Sequence, residues 1–471
     1  MVSFLNSTEL EALLHSDTPA KFSTSNLPTP TKLYEHLISD IQHYYDIVLS
    51  IPNISIQSIK DQYESLKEKA LNSHERRTPM NVYVGTKAKK RMDTHSKHTF
   101  YHSKRVIGRS HNDPSIEELR HEVPFHVQHN LTSEEDEYYN MEQVVFHSTE
   151  SDYVSPITIS SHILQYLIDL AAQFSPTYSS LSSAVIAIPA EFTVYQRQAT
   201  MQAFARAGIK VTRILEEPTA AALAYGLDQK QGVEHVLVYD FGGGTLDVSV
   251  LRISPDGFVD VMASSGDSNL GGVDFDTIVG DYLLARDEAF MLKQEKDDDH
   301  NGLPESALEE CAAKRFMHPC TETGIRTMSE QFKIELSTKY SDLIESSSLS
   351  GSLESKDDEI YVEQSCLQHR PSDQKSNDCS TYTTHTLKLT LAEYNSATSS
   401  LYPRSVTPIR KALENINMAP SDIDEVVMVG GTTRMPQIRS LVSLEFPQIQ
   451  ELNTEIDPDL TVAYGAASVI D

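Results

Sequence analysis

The sequence lacks several features that would assign it to a common class. No run of eighteen apolar residues occurs among its 471 residues, so nothing in it predicts a membrane-spanning helix. Positive charge is scarce: 39 Lys and Arg stand against 68 Asp and Glu, a net charge of -29. That balance argues against nucleic acid or an anionic membrane surface as the main partner. The first residues have no basic stretch followed by an apolar core, so they are not typical of a signal peptide.

Cysteine is rare as well. The four cysteines lie in polar stretches and have no metal-site spacing with histidine: Cys311, Cys320, Cys366 and Cys379. Reduced thiols are the favoured interpretation, and a disulfide remains open.

The order of strand and helix patterns in the sequence predicts a globular parallel α/β protein. An apolar strand over 184–192 precedes a helix closed by Gly208, and a second strand and helix follow. This order is typical of parallel α/β sheets, and the chain length calls for two or more lobes. Residues 1–75 have only helical spacing. Residues 341–385 are rich in Ser, Asp, Glu and Gln, and we predict a disordered insertion there.

The stretch VLVYDFGGGTLDVS (236–249) carries the clearest chemical signal. Three glycines between two apolar strands remove every Cβ from the turn, so its amides can approach an anion closely. Asp240 and Asp247 flank the turn, and Thr245 adds a hydroxyl. Phosphate beside carboxylates indicates a nucleotide carried with Mg²⁺. The alternative is a glycine-rich hairpin with exposed acids.

Two other patterns support a ligand site. Glu217 follows a predicted strand, where open α/β sheets place ligands, although an acid there also complements a helix dipole. VMVGG, ending at Gly431, is a second strand followed by a glycine turn.

A basic island contains Lys89, Lys90, Arg91, Lys104, Arg105 and Arg109. It is either a solvated charged face or an attractor for phosphate.

Seven stretches in order resemble the nucleotide-binding domain of the Hsp70 chaperones: IPAEF, QRQAT, ILEEPTAAALAYGL, VLVYDFGGGTLDVSVL, LGGVDFD, VVMVGGTTRMP and DPDLTVAYGAA. The resemblance runs from about Arg76 to Asp471. It implies an actin-like (ribonuclease-H-like) two-lobed ATPase fold. Lobe I would occupy 76–231 and lobe II 232–430, with 431–471 returning to lobe I.

The resemblance also implies ATP or ADP and Mg²⁺ as ligands. The implied catalytic residues are Lys89, Glu217, Asp240, Thr245 and Asp247, with Asp240 and Glu217 holding the metal through water. The implied nucleotide contacts are Gly242, Gly243, Gly244, Glu330, Lys333, Gly430, Gly431, Thr432, Arg434 and Asp459. Pro189 and Arg197 match a proline switch and its arginine relay.

The sequence also departs from the family. The opening D-x-G-T-T hairpin, which holds phosphate in relatives, is not found, so lobe I is expected to lack its first strands and ATP to bind more weakly. Ile334 stands where most relatives have an arginine, and no interdomain linker or peptide-binding domain is recognised. Two functions remain: a weak chaperone-type ATPase, or a non-catalytic nucleotide-binding module. A sugar or glycerol kinase on the same fold is disfavoured.

The resemblance implies co-chaperones, nucleotide-exchange factors and ubiquitin-like quality-control proteins as partners. Glu191 in IPAEF and the Ser/Asp-rich insertion resemble a branch of the family associated with the endoplasmic reticulum. The chain as it stands, without a hydrophobic leader, is expected in the cytosol.

Overall fold

The structure is a computed structural model that describes residues 82–89, 91–92, 95–129, 143–149, 152–174, 183–286, 320, 322–350, 359–369 and 382–469. The predicted helical segment 1–75 lies outside the described residues. From Val84 onward, the described residues belong to one compact unit.

This unit contains both strands and helices. The strands are β1 His126–His129, β2 Val144–Thr149, β3 Asp152–Val154, β4 Ser183–Ile188, β5 Lys210–Glu216, β6 His235–Phe241, β7 Leu246–Ile253, β8 Val259–Asp267, β9 Tyr361–His369, β10 Tyr382–Thr390 and β11 Glu425–Val429. The helices are α1 Thr86–Lys89, α2 Ser103–Val106, α3 Pro114–Glu122, α4 Pro156–Phe174, α5 Val194–Arg206, α6 Glu217–Ala224, α7 Gly272–Arg286, α8 Glu322–Ser350, α9 Leu391–Ala397, α10 Tyr402–Asn415, α11 Pro436–Glu445 and α12 Thr461–Ser468.

A four-stranded sheet in the order β11-β6-β7-β8 lies at the centre. β6, β7 and β8 form an antiparallel meander, and β11 runs parallel to β6. Because side chains alternate between the two faces of a strand, β6 contributes side chains to two hydrophobic cores. Leu237, Tyr239 and Phe241 enter one core, while Val236 and Val238 enter the other. This explains why β6 is apolar at nearly every position.

The predicted strand–helix–strand–helix unit is confirmed. β4 and β5 pair in parallel, with α5 between them in the chain. A capping box begins α5, in which Thr193 accepts from the amide of Gln196 and Gln196 accepts from that of Thr193. α12 returns to pack on α6, so closely that a Cβ on Gly465 would lie 1.7 Å from the carbonyl oxygen of Ala220. The last helix of the chain is thereby joined to its earlier half.

The prediction of a disordered insertion over 341–385 is wrong for the residues that the structure describes. α8 extends to Ser350, and β9 and β10 form an antiparallel hairpin. Val362, Cys366, Leu387 and Leu389 are fully buried. Only one face of this hairpin enters the core, so only alternate positions are apolar and the composition remains polar.

The expectation of reduced thiols is also wrong for two of the four cysteines. Cys320 and Cys366 form a disulfide with a Cα–Cα distance of 5.0 Å. It joins the segment two residues before α8 to strand β9 and is buried in the core. Cys311 and Cys379 lie outside the described residues. In the described part of the chain, no helix is long and apolar enough to cross a membrane.

Candidate functional site

The glycine turn connects β6 to β7 and holds two acids side by side. Asp240 and Asp247 are directly opposed in the β6–β7 register, so both side chains lie on one face of the sheet. The turn is closed by a hydrogen bond from the Gly242 amide to the Thr245 carbonyl (3.0 Å). The Thr245 hydroxyl donates to Asp247 Oδ2 (3.0 Å). The local sequence therefore presents two carboxylates and a hydroxyl beside a turn without Cβ atoms.

Two further glycine loops pack against this turn. The amide of Gly272, at the start of α7, donates to the Gly242 carbonyl (3.0 Å), and the Thr432 hydroxyl donates to the same oxygen (2.9 Å). A Cβ on Gly271 would lie 2.3 Å from Gly243 O. Gly430 has φ +83°, and its Cβ would meet Phe241 O at 2.5 Å. Glycine is required at these positions because backbones meet there without room for a side chain. The two strand–glycine units are thus adjacent in space.

A partly buried ion pair lies beside these acids. Glu217 begins α6 and is 7% exposed, and Lys104 Nζ lies 3.0 Å from its Oε1. Burial acts to raise the pKa of Glu217, but Lys104 outweighs it and holds that pKa below its usual value. Burial likewise acts to lower the pKa of Lys104, and Glu217 with Asp240 outweighs it, so the ammonium stays charged.

One lysine does not neutralise three carboxylates. Burial raises the pKa of Asp240 to about 8, and the nearby Glu217 and Asp247 add to the rise. Burial also raises the pKa of Asp247 to about 6, with Glu217 adding to it. Asp247 keeps contact with solvent, which screens its charge, so the stronger effect belongs to Asp240. The cluster carries excess negative charge that a cation would relieve.

The donor chemistry of this cluster fits Mg²⁺. Mg²⁺ prefers oxygen ligands and retains several of its waters, so carboxylates can hold it through water rather than directly. Among the described residues, no group of three or more His, Cys, Asp or Glu side chains forms a direct metal cage. The water-mediated role of Asp240 and Glu217 stays a prediction.

The structure pairs Lys89 with an acid outside this cluster, and its role in stabilising the transferring phosphoryl group stays a prediction. Lys89 Nζ pairs with Glu330 Oε2 on α8 at 2.9 Å. It is Lys104, in α2, that reaches Glu217. Both lysines were in the basic island, and charge pattern alone could not choose between them.

The predicted nucleoside contacts lie around the Gly271–Gly272 loop and the Gly430 loop. Lys333 Nζ lies 2.8 Å from Asp276 and donates to the Gly272 carbonyl at 2.9 Å. Arg434 Nη2 lies 3.0 Å from Asp459 Oδ2. Lys333 approaches the loop that also contacts the glycine turn. Arg434 and Asp459, both predicted nucleotide contacts, form an ion pair with each other.

The two switch residues lie close to the segment that carries Glu217. Arg197 binds Glu216, the residue before Glu217, at 3.0 Å, and also binds the carbonyls of Ala190 and Phe192 at 3.2 and 3.0 Å. A small recess there is lined by residues that include Pro189, Glu217, Asp240 and Asp247. Arg197 therefore ties the loop after Pro189 to the segment that carries Glu217.

Comparison with known proteins identifies the family. Residues 73–342 and 364–470 match the sequence model of the family described as Hsp70 protein. The chain belongs to the Hsp70 family. A Saccharomyces cerevisiae relative within this family, the mitochondrial iron-sulfur cluster biogenesis chaperone, is 33% identical over 397 residues. These residues are 84% of this chain and 51% of that protein, so the chain spans about half the length of this curated relative.

Membership of the Hsp70 family implies the actin-like ATPase fold, and the mixed α/β structure agrees with it. Hsp70 domains in general bind ATP or ADP with Mg²⁺. The Hsp70 match is interrupted between residues 342 and 364, within the segment where the sequence predicts an insertion.

Proposed function

We propose that this chain is an Hsp70-type nucleotide-binding module that binds Mg-ATP and hydrolyses it slowly in chaperone work. The observation that carries the proposal is the Lys104–Glu217 ion pair beside Asp240, Asp247 and the glycine turn. Phosphoryl transfer depends mainly on positioning and electrostatics, and this cluster offers both.

Each group has a distinct part in the proposal. The amides of the glycine turn would hold phosphate oxygens, whose charge Mg²⁺ would neutralise when bound. Glu217 and Asp240 would hold the metal by accepting hydrogen bonds from its waters. Asp247 and the Thr245 hydroxyl orient the attacking water. The ammonium of Lys104 acts as a compact positive charge near the transferring phosphoryl group.

The remaining predicted contacts complete the site. Glu330 and Lys333 on α8 would reach the ribose, and Arg434 and Asp459 would flank the adenosine. Pro189 and Arg197 would transmit the state of the acid cluster to the neighbouring recess. This last step is supported by the contact of Arg197 with Glu216, which directly precedes Glu217.

A non-catalytic nucleotide-binding module is the second candidate. One sequence observation favours it: no D-x-G-T-T phosphate hairpin is found in the 471 residues. Such a module would bind nucleotide more weakly and regulate a partner instead of turning over. Co-chaperones, nucleotide-exchange factors or ubiquitin-like quality-control proteins are the proposed partners in either case.

The proposed compartment is the endoplasmic reticulum. The resemblance of Glu191 and the insertion to that branch supports it, and so does the buried Cys320–Cys366 disulfide, since disulfides persist mainly in oxidising compartments. Retention in the cytosol is the alternative.

Single-turnover hydrolysis of radiolabelled Mg-ATP tests the catalytic proposal. Lys104→Ala should lower the rate at least about 100-fold, because it removes the cation nearest the acids. Lys230→Ala is the matched control, since that lysine forms a surface pair with Glu425. Wild-type binding without any turnover would favour the regulatory module. Equal rates for Lys104→Ala and wild type would remove Lys104 from its role.

A further inference from the structure

Two adjacent basic residues of α2 reach different parts of the site. Lys104 binds Glu217, whereas Arg105 turns toward the glycine turn. Arg105 Nη2 donates to the Gly244 carbonyl at 3.2 Å, and Nη1 pairs with Glu122 Oε2, at the end of α3, at 2.9 Å. The proposed function gives Arg105 no role, although its guanidinium joins α3 to the phosphate turn.

The guanidinium lies directly against the turn. A Cβ on Gly244 would come within 2.7 Å of Arg105 Nη2, so a side chain there would displace the arginine. In a trans peptide the carbonyl and the following amide point in opposite directions. Holding the Gly244 carbonyl therefore also fixes the direction of the Thr245 amide. That amide and those of Gly243 and Gly244 donate to no other described residue, which leaves them for an anion.

We propose that Arg105 is a positioning residue, anchored by Glu122, which orients the Gly244–Thr245 peptide so that its amide faces the nucleotide phosphate. The inference rests on the proposed function and deepens it. Arg105 acts through the turn rather than by touching phosphate, because its charge is already paired with a carboxylate.

The carboxylate of Glu122 separates this role from a direct charge contact. If Arg105 met phosphate directly, neutralising Glu122 would free its charge and phosphate affinity would rise. If Arg105 positions the turn, loss of Glu122 releases the guanidinium and phosphate affinity falls. The sign of the change upon Glu122→Gln therefore decides between the two roles.

Calorimetric titration of the full chain with Mg-ADP and with adenosine provides the test. Arg105→Gln and Glu122→Gln should each weaken Mg-ADP binding about three- to tenfold, as expected for a charge-assisted hydrogen bond partly open to solvent. Adenosine affinity should stay within about twofold, because adenosine has no phosphate. Arg410→Gln is the matched control, because Arg410 forms a bidentate salt bridge with Glu445 away from the site.

The outcomes are distinct. Unchanged or tighter Mg-ADP binding by Glu122→Gln overturns the inference alone, as do equal losses for Mg-ADP and adenosine, which would indicate general damage. A wild-type chain that binds neither ligand overturns the proposed function and this inference with it. Should Arg105→Gln fail to fold, Glu122→Gln still decides, because Glu122 is 43% exposed at a helix end.

Discussion

Replacing Asp240 by Asn should stabilise the ligand-free protein while abolishing its response to Mg²⁺ and nucleotide. In the folded protein Asp240 keeps its proton up to about pH 8, whereas its ordinary pKa is 3.8. Between these values the folded state binds more protons than the unfolded chain, so this residue makes stability fall as pH rises. Asparagine has the shape of the carboxyl group without its charge, and it removes that penalty.

The size of the effect follows from the shift. A rise from 3.8 to about 8 corresponds to an upper bound of about 5 kcal/mol at pH 8. Asp240 shares its titration with Glu217 and Asp247, and it is only half-buried, so we expect a gain of about 1–3 kcal/mol. The gain should be larger at pH 8 than at pH 5, because at pH 5 the folded wild type still holds the proton.

Urea unfolding at pH 5 and pH 8, without metal or nucleotide, measures both quantities. Asp256→Asn is the control, because Asp256 lies in the exposed turn between β7 and β8. Addition of Mg-ADP should stabilise the wild type and leave Asp240→Asn unaffected. If Asp240→Asn is no more stable than wild type at pH 8, the carboxylates are not crowded as described. An equal gain at both pH values would show that charge is not the cause.

Three other changes test separate parts of the structure. Lys89→Ala should weaken nucleotide binding but preserve the single-turnover rate, and a lost rate would return Lys89 to the catalytic centre. Cys320→Ser should lower the free energy of unfolding in urea by about 2–4 kcal/mol, since the bond to Cys366 closes a loop with a sequence separation of 46. A wild-type urea midpoint that a reductant does not change would contradict this. Gly465→Ala should lower the free energy of unfolding, measured by thermal unfolding, by at least about 2 kcal/mol, because the new Cβ would clash with the Ala220 carbonyl oxygen. A small increase in stability, as is usual for Gly→Ala in a helix, would contradict this.

The hairpin β9–β10 and the partners of Lys89 and Lys104 show what local sequence patterns do not reveal. Val362, Cys366, Leu387 and Leu389 alternate with polar residues, and such a pattern carries little hydrophobic signal until a core covers one face. Lys89 and Lys104 lie in one basic stretch. Their partners, Glu330 and Glu217, are 241 and 113 residues away in the chain, which no local pattern reveals.

The sequence by itself determined the local elements of the site. An unbroken apolar strand such as β6 must be covered on both faces, and three consecutive glycines followed by Thr245 predict a turn with open amides. Tertiary structure alone decided which charges meet there. Long-range packing brought Lys104 to Glu217 and Arg105 to Gly244, and it joined Cys320 to Cys366. The physical reason is that backbone conformation depends on near neighbours, whereas charge pairing depends on which distant segments the core holds together.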